Sequence, residues 1–186
     1  DIIGAKFLRE VEKGELIVIT DEGIESIKPF QKLTPRPCIF EYIYFSRPDS
    51  YLGGLSIYEC RKSFGQQLAK ESPIDADYVI PVPDSGVPSA IGFAEVSQIP
   101  YELGIIRNHY VGRTFIEPSQ KIRSLGVKLK LNANQTTIEN KKIILVDDSL
   151  VRGTTSHKIV KMLYDAGAKE VHVRIACPEI RYPDFY

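Results

Sequence analysis

An α/β fold, with a parallel sheet flanked by helices and a small antiparallel β unit at the N-terminus, is what this sequence predicts. Three observations predict it. Beyond Pro37, short apolar runs alternate with helical patterns, the signature of βαβ units and of a sheet covered on both faces. Before that point only strand and turn signals occur, too few to bury a core alone. With 43% hydrophobic and 26% charged residues, the 186-residue sequence has ordinary globular composition, enough for one well-buried core and an appendage.

The elements follow in order. Residues 5–11 and 15–20 read as two strands joined around Lys13-Gly14, and Asp21-Glu22-Gly23 makes a further turn before Ile24–Ile27. Thr34-Pro35-Arg36-Pro37 breaks the pattern and marks a boundary, giving domains 1–34 and 35–186. Phe40–Ser46, apolar and aromatic, reads as a strand. Ser56–Ala69 is helical, with Ser56 as N-cap and Glu59 completing a capping box. Tyr78–Val82 is a short buried strand, followed by a Pro/Asp/Ser/Gly turn and a helix over Pro88–Ser97. Tyr101–Ile106 is a strand. A basic, irregular stretch over 107–131 follows, of the length and kind that forms lids. Lys142–Val146 is a buried strand, Thr155–Ala166 a helix and Glu170–Ala176 a last strand.

Several function classes are disfavoured. Lys and Arg total 24 and Asp and Glu total 24, so no global field draws the chain to nucleic acid or a lipid surface. No apolar run approaches the roughly 20 residues needed to span a bilayer, and residues 1–12 alternate apolar and charged groups, unlike a signal peptide. Cys38, Cys60 and Cys177 are odd in number and form no CxxC pair, which points to a reducing cytoplasm. Cys60 and Cys177 are expected as small buried hydrophobes. His109, His157 and His172 show no ligand spacing and no catalytic role is assigned to them. The opening at Asp1 and the stop at Tyr186, just after a strand-like segment, read as those of a portion of a longer protein.

Chemistry concentrates in Ile143-Ile-Leu-Val-Asp-Asp-Ser-Leu-Val-Arg-Gly-Thr-Thr-Ser156. Four apolar residues make a buried strand, so Asp147 and Asp148 fall at its carboxyl end, where open α/β sheets hold ligands. Ser149 to Thr155 then forms a hydroxyl-rich loop running into a helix. Backbone N–H groups at that helix start, with Thr154, Thr155 and Ser156 beside them, make a cradle for a phosphate monoester. Gly153 lets the backbone approach closely. The plainer alternative is a polar turn with Thr155 or Ser156 as a helix cap, but the whole run is more specific than its acids alone. GxxxxGK[ST] and GxGxxG do not occur.

This run resembles the phosphoribosyl diphosphate signature of type I phosphoribosyltransferases. Cys38-Ile-Phe-Glu-Tyr-Ile-Tyr-Phe-Ser-Arg-Pro-Asp-Ser50, Val82-Pro-Asp-Ser-Gly86, Asn108-His-Tyr-Val-Gly-Arg-Thr-Phe-Ile116 and Lys128-Leu-Lys-Leu-Asn132 resemble, in order and spacing, the glutamine phosphoribosyl diphosphate amidotransferase family. Residues 1–30 resemble the end of that family's N-terminal-nucleophile glutaminase domain. The resemblance implies the type I phosphoribosyltransferase fold, cut short at its C-terminal end.

It also implies roles. Asp147 and Asp148 meet the ribose hydroxyls and the shell of a Mg²⁺ ion, and Ser149, Arg152, Gly153, Thr154, Thr155 and Ser156 hold the 5′-phosphate. Asp84, Ser85 and Gly86 hold pyrophosphate, with a Ser85 oxygen near the metal. Taken alone, Pro-Asp-Ser-Gly is also a common turn. Lys130 contacts pyrophosphate, while Tyr110 and Arg113 couple closure of the lid to the glutamine site. Mg²⁺ favours oxygen ligands shared between carboxylates and phosphates. Asp147, Asp148 and Ser85 fit that pattern, with the ion arriving alongside the substrate. Cys38 matches an iron–sulfur ligand position of some members, but another of their cysteines falls at Asp184, so no cluster is expected.

The implied reaction is attack of ammonia on C1 of phosphoribosyl diphosphate, giving 5-phosphoribosylamine and pyrophosphate at the start of purine nucleotide synthesis. Lys130, Asp147 and Asp148 carry it. Glutamine supplies the ammonia through an N-terminal Cys nucleophile that these 186 residues do not contain. Purine nucleotides are expected as feedback inhibitors, the enzyme as a homo-oligomer, and neither nucleic acid nor membrane as a partner. Two rivals remain at this point. One is a nucleobase phosphoribosyltransferase, which would need a base-covering hood not evident beyond residues 31–50. The other is a non-catalytic regulator of the same fold that binds nucleotides or RNA.

Overall fold

The structure is a computed structural model, and it describes residues 3–31, 34, 36–108, 110, 130–179 and 181. The chain divides into two compact units, Asp1–Cys38 and Ile39–Tyr186.

In the first unit, β1 (Leu16–Thr20) and β2 (Gly23–Ile27) form an antiparallel hairpin about Asp21-Glu22, pairing Leu16 with Ile27 and Thr20 with Gly23. The expected strand over 5–11 does not form, so the predicted turn at Lys13-Gly14 joins no hairpin. Glu15 gathers that region instead. It accepts from Arg9 at 2.7 and 2.9 Å, from the Glu12 N–H at 2.6 Å and from the Ser26 hydroxyl. Those donors hold its carboxyl down at about 2. A period-2 pattern makes a strand only where a partner edge exists, and 5–11 has none among the described residues.

The second unit begins with another departure. Phe40–Ser46, read as a strand, is a π-helical turn over Glu41–Phe45, closed by the Ser46 N–H donating to the Glu41 carbonyl at 3.2 Å. A short antiparallel pair follows, β3 (Tyr51–Leu52) and β4 (Leu55–Ser56). Helix α1 (Ile57–Glu71) starts where the capping box predicts. The Ser56 hydroxyl accepts from the Glu59 N–H at 3.4 Å, and the Ser50 and Pro48 carbonyls take the next free donors, from Ile57 and Tyr58.

Strand β5 (Tyr78–Pro81) leads through a turn into α2 (Val87–Ser97). Next come β6 (Ile105–Arg107), β7 (Leu131–Ala133), the short α3 (Gln135–Ile138), β8 (Lys142–Asp147), α4 (Thr154–Asp165) and β9 (Glu170–Ile175). Among the described residues the parallel sheet has the order β5–β8–β9, and a single parallel bridge from Val79 to Tyr101 extends it. The strand expected over Tyr101–Ile106 is thus a bridge at Tyr101 and a separate short strand. That strand, β6, pairs antiparallel with β7, Arg107 opposite Leu131.

The alternation along β8 separates two cores. Ile143 and Leu145 pack with Ile80, Val82, Ile105, Leu131, Ile159 and Leu163, beneath α4 and the β6–β7 hairpin. Ile144 and Val146 face the other way, onto Ala69, Ala90 and Phe93 of α1 and α2. Fully burying side chains of this kind stabilises by about 1.5–3 kcal/mol each. Helices α1 and α2 cross without intervening side chains: a Cβ on Gly65 would lie 1.8 Å from the Ser89 carbonyl oxygen.

Candidate functional site

The site forms where the carboxyl ends of β5 and β8 lie side by side. Parallel pairing continues one step past Pro81, with the Val82 N–H donating to the Val146 carbonyl at 2.9 Å. The chain then doubles back, the Gly86 N–H donating to the Val82 carbonyl at 2.9 Å, before α2 begins. The peptide bond from Pro83 to Asp84 within this turn is cis. A Cβ on Gly86 would stand 2.4 Å from the Val146 carbonyl oxygen. The Asp84–Ser85–Gly86 turn therefore rests directly against the strand end that carries Asp147 and Asp148.

Asp148 is 6% exposed. One carboxylate oxygen accepts from the Ser149 hydroxyl, while the other, Oδ2, is buried with no hydrogen-bond partner among the described residues. Asp147 is half-buried and accepts from the Asp148 N–H at 2.9 Å. Burial, and after it the neighbouring Asp148 carboxylate, push the Asp147 carboxyl up to about 7, although the Asp148 N–H draws it down. The Asp147 and Asp148 carbonyls accept from Ala176 and Cys177 at 3.0 and 2.8 Å, so the main chain here is fixed from the β9 side.

From Asp148 the chain passes Ser149 and the exposed Leu150, Val151 and Arg152 to Gly153. Gly153 is the N-cap of α4 with φ 69°, a left-handed conformation that favours glycine. No side chain caps this helix among the described residues. The first N–H groups, beside Thr154, Thr155 and the half-buried Ser156, lie at a helix N-terminus, where an anion is favoured.

Sequence reasoning missed Arg107. It leaves the end of β6 to form an ion pair with Asp84, so the β6–β7 hairpin is tied to the turn. On the facing strand the Lys130 carbonyl accepts from the Asn108 N–H at 2.8 Å, which sets Lys130 at the same end of the hairpin. In the sequence Arg107 is one cation of the basic stretch over 107–131, and nothing local announces a partner in another turn. Arg61 was missed as well, a buried cation on α1 that donates to the Tyr42 and Ser46 carbonyls and whose guanidinium is pushed down by burial. Tyr110 is fully exposed. Arg113, His109, Asp184 and nearly all of the expected lid over 107–131 lie outside the described residues.

The structure thus brings Asp84, Ser85, Gly86, Asp147, Asp148, Ser149 and the start of α4 to one sheet edge. Oxygen donors from Ser85, Asp147 and Asp148 suit a hard divalent cation. The buried Oδ2 of Asp148, without a partner among the described residues, and the raised Asp147 carboxyl are features that such a cation would relieve. Among the described residues no group of three His, Cys, Asp or Glu side chains could hold a metal unaided. Cys60 and Cys177 are half-buried rather than fully buried, and burial followed by the Asp148 charge pushes the Cys177 thiol up. No helix among the described residues is long and apolar enough to cross a membrane.

No family model matches the chain. Curated proteins do. The chain is 60% identical over 191 residues to an amidophosphoribosyltransferase of Rhizobium etli, covering 100% of this chain and 38% of that one. It is 53% identical to the Bacillus subtilis amidophosphoribosyltransferase, covering 100% and 39%. A chloroplastic amidophosphoribosyltransferase of Glycine max is 55% identical, with 100% and 33% covered. Among solved structures, the Bacillus subtilis glutamine phosphoribosylpyrophosphate amidotransferase complexed with ADP and GMP superposes with a TM-score of 0.85 at 53% identity, covering 100% of this chain and 41% of that one. An allosteric regulatory enzyme of purine biosynthesis gives the same TM-score and identity, with 100% and 40% covered. The chain spans under half the length of the relatives it matches. Within that span the likeness runs from end to end, and the chain belongs to the amidophosphoribosyltransferase family.

Proposed function

We propose that this chain carries the phosphoribosyl diphosphate site of an amidophosphoribosyltransferase. In this reading ammonia attacks C1 of phosphoribosyl diphosphate, the C1–oxygen bond to pyrophosphate breaks, and 5-phosphoribosylamine forms as the first step of purine nucleotide synthesis. The observation that carries the reading is the convergence, at one sheet edge, of an acidic pair, a tight turn pressed on the Val146 carbonyl, and a helix start behind Gly153 that no side chain caps among the described residues.

Each part then has work to do. The N–H groups of the first turn of α4 and the hydroxyls of Thr154, Thr155 and Ser156 bind the 5′-phosphate, with Ser149 and Arg152 along the same loop. Asp147 and Asp148 accept from the ribose 2′ and 3′ hydroxyls and fix the ring. The Asp84–Ser85–Gly86 turn receives the pyrophosphate, and Lys130 balances the charge that grows on it as the bond breaks. Positive charge develops on the ring in that step, so positioning and charge stabilisation suffice and no side-chain nucleophile is needed. Mg²⁺, held by Asp147, Asp148 and Ser85 together with the substrate, would supply further neutralisation of the leaving group.

Several finer points belong to the same proposal. Residues 1–34 form the end of a glutaminase domain and 35–186 the phosphoribosyltransferase domain. Glutamine is the ammonia source in the longer enzyme, where Tyr110 and Arg113 couple the two sites. Purine nucleotides inhibit, a reading supported by a solved relative that holds ADP and GMP. The enzyme is a cytoplasmic homo-oligomer without an iron–sulfur cluster. The test is pyrophosphate release from phosphoribosyl diphosphate and Mg²⁺ with ammonia as acceptor, set against purine and pyrimidine bases. Ammonia-dependent release supports the reading. Release with a base and none with ammonia would move the chain to the nucleobase enzymes.

A further inference from the structure

Behind the Asp84–Ser85–Gly86 turn, helix α2 lies on α1 main chain to main chain. A Cβ on Gly65 would stand 1.8 Å from the Ser89 carbonyl oxygen, and a Cβ on Gly92 2.0 Å from the Lys62 carbonyl oxygen. Each helix thus offers a glycine to the other's backbone. The spacing of packed helices follows the side chains at their contact, and at these two points there are none to give way. Ser89 adds a direct tie. It is 2% exposed, and its hydroxyl donates to the Arg61 carbonyl at 2.9 Å. Helix α1 is itself anchored at this point, since the Arg61 side chain donates to the Tyr42 and Ser46 carbonyls at 2.8 and 2.7 Å. Towards the site, the Ala90 N–H donates to the Gly86 carbonyl at 2.9 Å, which puts Gly86 on the hydrogen-bond ladder of α2. Gly86 then meets the Val146 carbonyl oxygen, where a Cβ would come within 2.4 Å. The first turn of α2 is therefore clamped between α1 and the end of β8, and a shift at one contact reaches the other.

We propose that Ser89 and Gly65 are positioning residues for the bound pyrophosphate group: they seat α2 on α1 and so hold Asp84, Ser85 and Gly86 against the strand end that carries the acidic pair. The inference rests on the function proposed above. It divides the support of the site between the two faces of the sheet. The turn is carried by α1 and α2, which pack through Ala69, Ala90 and Phe93 on Ile144 and Val146. The phosphate cradle is carried by α4, whose Ile159 and Leu163 pack with Ile143 and Leu145 in the other core. A disturbance of the α1–α2 crossing should reach the pyrophosphate turn and leave the cradle as it is.

Ser89→Ala and Gly65→Ala, made separately in the full-length enzyme, test it. Calorimetry measures the affinity for pyrophosphate with Mg²⁺ and, in a second titration, for ribose 5-phosphate. Ser89→Ala is expected to weaken pyrophosphate binding roughly fivefold, the scale of one net intramolecular hydrogen bond. Gly65→Ala, which must part the helices, is expected to weaken it roughly tenfold. Ribose 5-phosphate should bind both variants as it binds the wild type. A general loss of stability would lower both affinities together, so the split separates positioning from support of the fold. Should Gly65→Ala fail to fold, as thermal unfolding would reveal, Ser89→Ala decides alone. Unchanged pyrophosphate affinity in Ser89→Ala, or equal losses for the two ligands, overturns the inference. A wild-type enzyme that binds neither ligand overturns the functional reading itself, a separate and recognisable outcome.

Discussion

Gly86 and Val146 touch backbone to backbone: a Cβ at Gly86 would come within 2.4 Å of the Val146 carbonyl oxygen, which already accepts from the Val82 N–H. The turn that would receive pyrophosphate and the strand end that would receive ribose are held at one fixed spacing by this contact. Gly86→Ala must push them apart, because the atom it meets is main chain and has no rotamer to offer. Overpacking of this kind costs typically about 1–3 kcal/mol. Urea unfolding should register the loss, and affinity for phosphoribosyl diphosphate should fall with it. Full affinity in the Ala variant would show that the contact does not set the site.

Gly153 offers a separate test at the other end of the site. Its φ of 69° puts the N-cap of α4 in the left-handed region. An L side chain in that conformation costs roughly 1–2 kcal/mol. Gly153→Ala is therefore expected to lower stability modestly and to weaken binding of ribose 5-phosphate, which probes the phosphate cradle without the leaving group. Unchanged ribose 5-phosphate affinity by calorimetry would separate the loop from the cradle.

The sheet and the helices were legible from residues 143–146 and from the Ser56–Glu59 box because both signals are local: a continuous apolar run in one case, an oxygen three residues from its donor in the other. Phe40–Ser46 was not legible. A short apolar run suits a strand or a buried helix equally, and Arg61, fifteen residues or more away along the chain, settles it by taking the carbonyls of Tyr42 and Ser46. Arg107 was hidden for the same reason, its partner Asp84 standing 23 residues away in another turn. The acids and the hydroxyl loop could be read because one continuous run places them at a strand end; the two arginines beside them belong to the tertiary structure.

Asp147 gives a pH prediction with a definite sign. Its folded carboxyl is raised from 3.8 to about 7. Between those values the folded chain retains a proton that the unfolded chain releases, so stability is present in full below the lower value and declines as pH rises through the upper one. Urea unfolding of the ligand-free protein from pH 4.5 to 8 should show that decline, and Asp147→Asn should flatten it. An unchanged slope in the Asn variant would place the titrating group elsewhere.

Asp148→Asn and Lys130→Ala, made separately in the full-length enzyme, bear on the chemistry itself. The first keeps the shape of a side chain that is 6% exposed and has one oxygen without a partner among the described residues, but removes its charge from the ribose and metal site. The second removes a cation from the end of the β6–β7 hairpin, where the Lys130 carbonyl pairs with Asn108. Loss of one group that stabilises developing charge typically costs about 3–4 kcal/mol in the transition state, roughly 10²–10³ in rate. Ammonia-dependent synthesis of phosphoribosylamine should fall by that factor in each variant. Glutamine hydrolysis belongs to the other domain in this reading, so its basal rate should survive both changes, while any stimulation by phosphoribosyl diphosphate weakens. Measuring pyrophosphate release with ammonia beside glutamate release from glutamine separates the two activities in one preparation. A variant that keeps near-wild-type ammonia-dependent synthesis removes its residue from the site, and two such variants would move the site away from this sheet edge.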